Sequence, residues 1–162
     1  MKNLLIALLS LLLIVSCGSE KSDTKTSKVN QPAEKKVTAE WITNLEEGIK
    51  KAAEENRTVL VDFTGSDWCG WCFRLRDEVF VQPEFIDYSS KSLVLVELDF
   101  PQRKEQTEET KKYNRKLLDK YGVKGFPTIL IIDKEGKEIG RTGYRAGGAA
   151  AYVEHIKSFI KN

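Results

Sequence analysis

Two cysteines three residues apart, Cys69 and Cys72 in the stretch GSDWCGWC, are the most reactive pairing in this sequence. Thiols at this spacing serve reversible disulfide formation, metal ligation or haem attachment. Haem attachment needs a histidine directly after the second cysteine, and Phe73 stands there. A structural zinc site needs four ligands. The chain has three cysteines and one histidine, His155, far along the sequence. Zinc is not expected, nor is any other metal or cofactor. A buried, inert pair is the bland alternative, but the Gly-Ser-Asp turn just ahead of the pair argues for exposure.

Redox chemistry fits better. The turn follows a β-rich run, and Asp67 is placed to cap a helix that begins near Cys69. At a helix start Cys69 meets the positive end of the dipole and unpaired N–H groups, which favour its thiolate. Cys72, nearly one turn on, lies within disulfide reach. A thiolate at Cys69 can attack a partner's disulfide, and Cys72 can then resolve the mixed disulfide. Such chemistry needs one exposed nucleophile and one sheltered resolver.

The elements that must hold this pair follow from periodicity. Leu45, Ile49, Ala52 and Ala53 recur at helical spacing behind Asn44, a candidate cap with Glu47 three residues on. TVLVDFT (58–64), SLVLVELDF (92–100) and TILIID (128–133) read as buried strands. KEGK turns the third of these into EIGRTGY, a hairpin. Pro83 opens a short helical turn. Residues 102–122 are polar and helical in character, ending at Gly122, and the charge of the 101–116 stretch reads as a solvated face. The last segment, AAAYVEHIKSFIKN, is an amphipathic helix with Tyr152, Ile156 and Phe159 or Ile160 on one face. His155 reads as a residue of that helix's surface. Strands alternating with helices predict an α/β fold: a parallel sheet with right-handed crossovers, to which the closing hairpin adds an antiparallel edge.

The N-terminus is of another kind. A basic start, Met1-Lys2-Asn3, precedes an apolar run from Leu4 to Val15. Spanning a bilayer takes roughly 20 apolar residues, so the run reads as a signal peptide, residues 1–16. Its end, Ile14-Val15-Ser16-Cys17, resembles the lipobox of bacterial lipoproteins, which implies cleavage before Cys17 and lipid on its sulfur. Residues 17–37 hold almost no large apolar side chains and are expected to be a disordered tether. The folded domain is expected over residues 38–162. With Cys17 lipidated, the Cys69 and Cys72 thiols are free for chemistry in a compartment where disulfides persist. A formal charge of +2, with no basic run interleaved with aromatics, argues against nucleic acid as a partner.

Two stretches then point to one family. VDFTGSDWCGWC resembles the strand, loop and active site of the thioredoxin superfamily, and KYGVKGFPTILIID (120–133) resembles its second signature, a Gly-x-Pro-Thr segment before a strand. The similarity runs over roughly residues 41–162 and is greatest to exported members. It implies a thioredoxin fold, a central mixed β-sheet flanked by helices. It implies that Cys69 is the nucleophile, Cys72 the resolver and Pro127 a cis-proline beside them. Phe126 would pair its backbone with an incoming peptide, Trp68 and Phe126 would wall the groove, and Gly70 and Trp71 would border it. Asp62, on a strand buried on both faces, would have a raised pKa and move a proton to or from Cys72; the alternative is a polar group bonded to nearby backbone. Relative to the common pattern, the loop from Asp62 to Cys69 is one residue longer, Trp71 replaces a proline, and Phe73 and Arg74 follow Cys72 where a lysine is frequent.

The resulting expectation is a monomeric thiol:disulfide oxidoreductase outside the cytoplasm, held to a bacterial membrane by lipid. It would reduce or isomerise disulfides in other proteins and be recharged by a membrane or soluble electron donor. The alternatives are a disulfide-forming oxidase and a module that binds extended peptides without turnover.

Overall fold

The computed structural model describes residues 38–160. Residues 1–16, expected to be a signal peptide, Cys17 and the rest of the 17–37 stretch lie outside the described residues. Five strands form one sheet: β1 (Trp41–Ile42), β2 (Thr58–Thr64), β3 (Leu93–Asp99), β4 (Thr128–Ile132) and β5 (Glu138–Thr142), in the order β1-β3-β2-β4-β5. β2 is parallel to β3, and β1 is parallel to β3. β4 runs antiparallel to β2, and β5 antiparallel to β4. The sheet is therefore mixed through its centre. Antiparallel pairing begins at β2 itself rather than being confined to an edge hairpin.

Every residue of β2 after Thr58 is buried, as a central strand covered on both faces requires. Alternation divides its side chains between two cores. Leu60 joins Leu95, Ile129 and Ile131 under one layer of helices: α2 (Gly70–Leu75), the π-helical segment Arg76–Phe80 that continues it, α3 (Pro83–Ser92) and α5 (Gly148–Ile160). Val59, Val61 and Phe63 join Val96, Leu98 and Leu130 under the other layer, α1 (Leu45–Glu55) and α4 (Glu108–Lys120). Each fully buried Leu, Ile, Val or Phe here contributes roughly 1.5–3 kcal/mol against leaving it in water. At Gly48 of α1 an added Cβ would come within 2.5 Å of Val96, so glycine lets α1 lie flat on β3.

Local chemistry sets the boundaries. Asn44 caps α1, its side chain accepting the Glu47 N–H at 2.8 Å as its type and spacing predict. Gly122 follows α4 with φ +58°, a conformation glycine adopts cheaply. Three boundaries differ from the sequence reading. The two-residue β1 has no pattern of its own and exists by pairing with β3. Pro83 starts a ten-residue helix, not a turn, because Phe85 and Ser89 bury beneath it. α4 begins only at Glu108, capped by Thr107, which accepts the Thr110 N–H. Residues 101–107 form a loop instead. Among the described residues no helix is long and apolar enough to cross a membrane.

Candidate active site

The chain leaves the buried end of β2, turns at Gly65 and enters α2. The Gly65 carbonyl accepts the N–H groups of Trp68 and Cys69 at 3.3 and 3.0 Å, which tightens the turn. Asp67 does not cap the helix. Cys69 does: its backbone is extended, and its sulfur accepts the Cys72 N–H at 3.2 Å. Cys69 and Cys72 are joined as a disulfide, with Cα atoms 5.2 Å apart. Both residues are buried, 5% and 6% exposed. The expected contrast of an exposed and a sheltered sulfur is thus absent in the bonded state. The Cys69 sulfur is turned onto the first turn of its own helix.

Aromatic side chains flank the pair on both sides. The Phe126–Pro127 peptide bond is cis, as the motif predicts, and leads directly into β4. Phe126 meets the Trp68 ring edge-on at 5.8 Å and stacks on Phe100 at 5.0 Å. The Trp68 indole N–H donates to the Phe100 carbonyl at 2.8 Å. A Cβ at Gly65 would come within 2.6 Å of that indole, so only glycine leaves room for the ring. On the other side Trp71 is 54% exposed and lies 5.1 Å from Tyr144. The Arg74 guanidinium sits 5.2 Å from the Trp71 ring and 5.1 Å from Tyr144. Glu78 ties this cluster down: it accepts from the Tyr144 hydroxyl at 2.6 Å and from Arg74 at 3.0 Å. Those bonds, Tyr144's first, hold its carboxyl below the usual range. Gly70, between the two aromatic groups in sequence, faces open space.

Asp62 lies on β2, two residues after Leu60 and on the same face, the face that α2 covers. It is 5% exposed, and its Oδ1 has no hydrogen-bond partner. Burial pushes its carboxyl well above the ordinary value, and the charges of Glu97 and Asp99 on β3 push it further. The raised pKa expected from the sequence is present. The bland alternative, bonding to nearby backbone, is not what this oxygen does.

The longer loop before Cys69 has its own anchor. The Asp67 carboxylate accepts the backbone N–H groups of Gln102, Arg103 and Lys104 at 2.7–2.9 Å. These bonds, that of Gln102 first, lower its pKa. Ser66 donates both its N–H and its hydroxyl to Asp99 at 2.8 and 2.5 Å. The first part of the charged 101–116 stretch is therefore a loop strapped to the redox turn.

Sequence reasoning missed several groups here. Tyr144 and Phe100 stand beside the site only because of how β5 and β3 end, and no local pattern marks them. Glu97 had a signal: it interrupts an apolar strand at a position in phase with the buried Leu95. His155 is not a simple surface residue. It is partly buried, with its Nε2 3.0 Å from the Thr142 hydroxyl and its ring against Phe159, and burial then Arg145 lower its pKa. Cys17 lies outside the described residues.

A cysteine pair at the start of a helix, a cis-proline ahead of the adjoining strand and this strand order together define a thioredoxin fold with a thiol–disulfide site. The chain belongs to the thioredoxin-like domain family, whose model matches residues 45–156. It is 40% identical over 115 residues to the disulfide bond reductase DsbH of Chlamydia pneumoniae, covering 71% of this chain and 69% of that protein. A solved DsbH oxidoreductase superposes with a TM-score of 0.71 at 36% identity, over 81% of this chain and 92% of the other. The thiol:disulfide interchange protein DsbD of Colwellia psychrerythraea is 31% identical over 86% of this chain, which spans only 22% of that longer protein.

Proposed function

We propose that this protein reduces disulfide bonds in other proteins outside the cytoplasm, through the Cys69–Cys72 pair. The observation that carries the reading is the Cys72 N–H directed at the Cys69 sulfur on the first turn of α2. The same N–H, with the helix dipole behind it, stabilises a thiolate at Cys69 once the pair is reduced. The 40% identity to a protein named a disulfide bond reductase favours reduction over oxidation.

The Cys69 thiolate attacks one sulfur of a partner's disulfide, a Cys69–partner disulfide forms, and the partner's other sulfur leaves as a thiolate. Cys72 then gives its proton to the Asp62 carboxylate and attacks the Cys69 sulfur. The Cys69–Cys72 disulfide forms and the partner's second sulfur is released. Two electrons pass to the partner. Recharging by an electron donor's thiols runs the sequence backwards, with Asp62 returning its proton to Cys72 as the disulfide opens.

An extended partner segment pairs with the backbone at Phe126 beside Pro127, as an added strand. Trp68 and Phe126 form one wall of its groove, and Gly70 and Trp71 border the other side. The basic, apolar N-terminus and Cys17 support export and lipid attachment to a bacterial membrane.

Two variants test this. Cys72→Ser should accumulate mixed disulfides with partner proteins, visible on non-reducing gels, because Cys69 still attacks and nothing resolves. Cys69→Ala should lose insulin reduction to background. Full activity in Cys69→Ala would refute the mechanism.

A further inference from the structure

We infer that Glu97 is a positioning residue whose charge holds the proton on Asp62, so that the two carboxyls on the dithiol face of the sheet titrate as a coupled pair. This rests on the reading above, in which Asp62 exchanges a proton with Cys72. Asp62 and Glu97 are register partners on adjacent parallel strands, Asp62 on β2 opposite Glu97 on β3. Register partners on neighbouring strands lie about 4.8 Å apart and project to the same face. That face is set by Leu60 and Leu95, each two residues earlier, which pack in one core with Leu75 and Val79 of the dithiol helix and its continuation. The Asp62 Oδ1 is buried and unpartnered.

The other charged and titratable groups nearby are accounted for. Asp99, next on the same face of β3, gives one oxygen to the Ser66 N–H and the other to the Ser66 hydroxyl. Tyr152 of α5 donates its hydroxyl to the Gly143 carbonyl, and burial keeps it protonated. Lys104, in the strapped loop, acts on Glu97 and bonds the Ser66 hydroxyl. Cys69 and Cys72 are bonded to each other. Glu97 is left as the half-buried acid beside Asp62.

The two acids differ in depth, and this orders their ionisation. Burial first and then the Asp99 charge raise Glu97. Asp62, the deeper acid, is still neutral when Glu97 ionises. The Glu97 charge then raises Asp62 in turn, because neighbouring carboxylates resist ionising together. In the oxidised protein this keeps a proton on Asp62, ready for Cys72 when the disulfide opens. In the reduced protein it strengthens the Asp62 carboxylate as acceptor of the Cys72 proton. One proton moves between Cys72 and Asp62, and none is gained or lost.

The test is a carboxyl-carbon NMR titration of Asp62 and Glu97 in the oxidised full-length protein in detergent micelles. In the wild type, the Asp62 curve should show a minor inflection at the Glu97 midpoint and its main step at higher pH. In Glu97→Gln, Asp62 should titrate in one step, with a proton affinity about tenfold lower. Glu97→Asp, which keeps the charge, should restore the second inflection. An Asp62 curve in Glu97→Gln that superimposes on the wild type would overturn the inference. So would a wild-type Asp62 curve with no inflection at the Glu97 midpoint, which tests the pair even if the variant does not fold. The titration needs no partner protein, so a wild type inactive on insulin would count against the proposed function and not against the pair.

Discussion

Asp62 makes stability depend on pH in a direction that can be worked out. Its carboxyl is held well above 3.8 in the folded protein, by burial first and the β3 carboxylates second. Below the unfolded value both states carry the proton, and the group adds no pH dependence. As pH rises past 3.8 the unfolded chain gives up its proton while the native state keeps it, so stability falls until the folded carboxyl also ionises. Asp62→Asn should therefore flatten this decline and stabilise the oxidised protein at pH 8 by about 1–3 kcal/mol. Urea unfolding at pH 5 and pH 8 measures both effects. A variant less stable than wild type at pH 8 would mean that the buried carboxylate finds a partner on folding. The same substitution should slow release from the Cys69 mixed disulfide, since Cys72 loses its proton acceptor.

At the scale of elements, the redox turn and the 101–107 loop behave as one piece. Asp67 binds three successive backbone N–H groups, and Ser66 and Trp68 add bonds to Asp99 and Phe100. Asp67→Ala should speed hydrogen exchange at the amides of Gln102, Arg103 and Lys104, while amides within β2 keep their protection. Acid should likewise lower the protection of these amides, relative to their intrinsic exchange rates, in the wild type. The depressed Asp67 pKa means that the clamp is intact above the ordinary value of 3.8 and is lost as pH falls through the lower folded value. Gly65→Ala acts through another contact: the new Cβ meets the Trp68 indole, which must leave Phe100 and Phe126. A red-shifted Trp68 emission, measured with Trp41 and Trp71 changed to Phe, would report that displacement. Unchanged emission would show that the ring has room to spare. The same elements show what sequence can carry. Asp67 ahead of Cys69 reads locally as a helix cap, since aspartate before a helix usually is one. Its real partners are 35 or more residues away, and long-range backbone bonds leave no trace in a local pattern. Asn44 was legible because its partner is three residues on.

At the scale of the whole molecule, the three long central strands, four of the five α-helices among the described residues and the Phe126–Pro127 turn could be read from periodicity and motif. Strong apolar runs and turn residues are local signals. The two-residue β1, the antiparallel placement of β4 against β2 and the full length of α3 depend on pairing and packing with distant chain, and could not. The cysteine pair was legible by type and spacing, whereas its surroundings were legible only in part. Trp68 and Phe126, named together in the resemblance, do stand in contact. The Trp71–Arg74–Tyr144–Glu78 cluster opposite them needs the end of β5 to fold back beside α2, which no single stretch foretells.

The central claim is that Cys69 and Cys72 give electrons to partner disulfides, and the pair's reduction potential tests it most directly. Equilibrating the full-length protein with a series of glutathione redox buffers, and following the fraction reduced by thiol labelling, yields that value. A potential near roughly −270 mV, where thioredoxin lies, is the predicted result. A potential near roughly −120 mV, that of a strong oxidant with a stabilised reduced form, would contradict it and make the pair a source of disulfides instead.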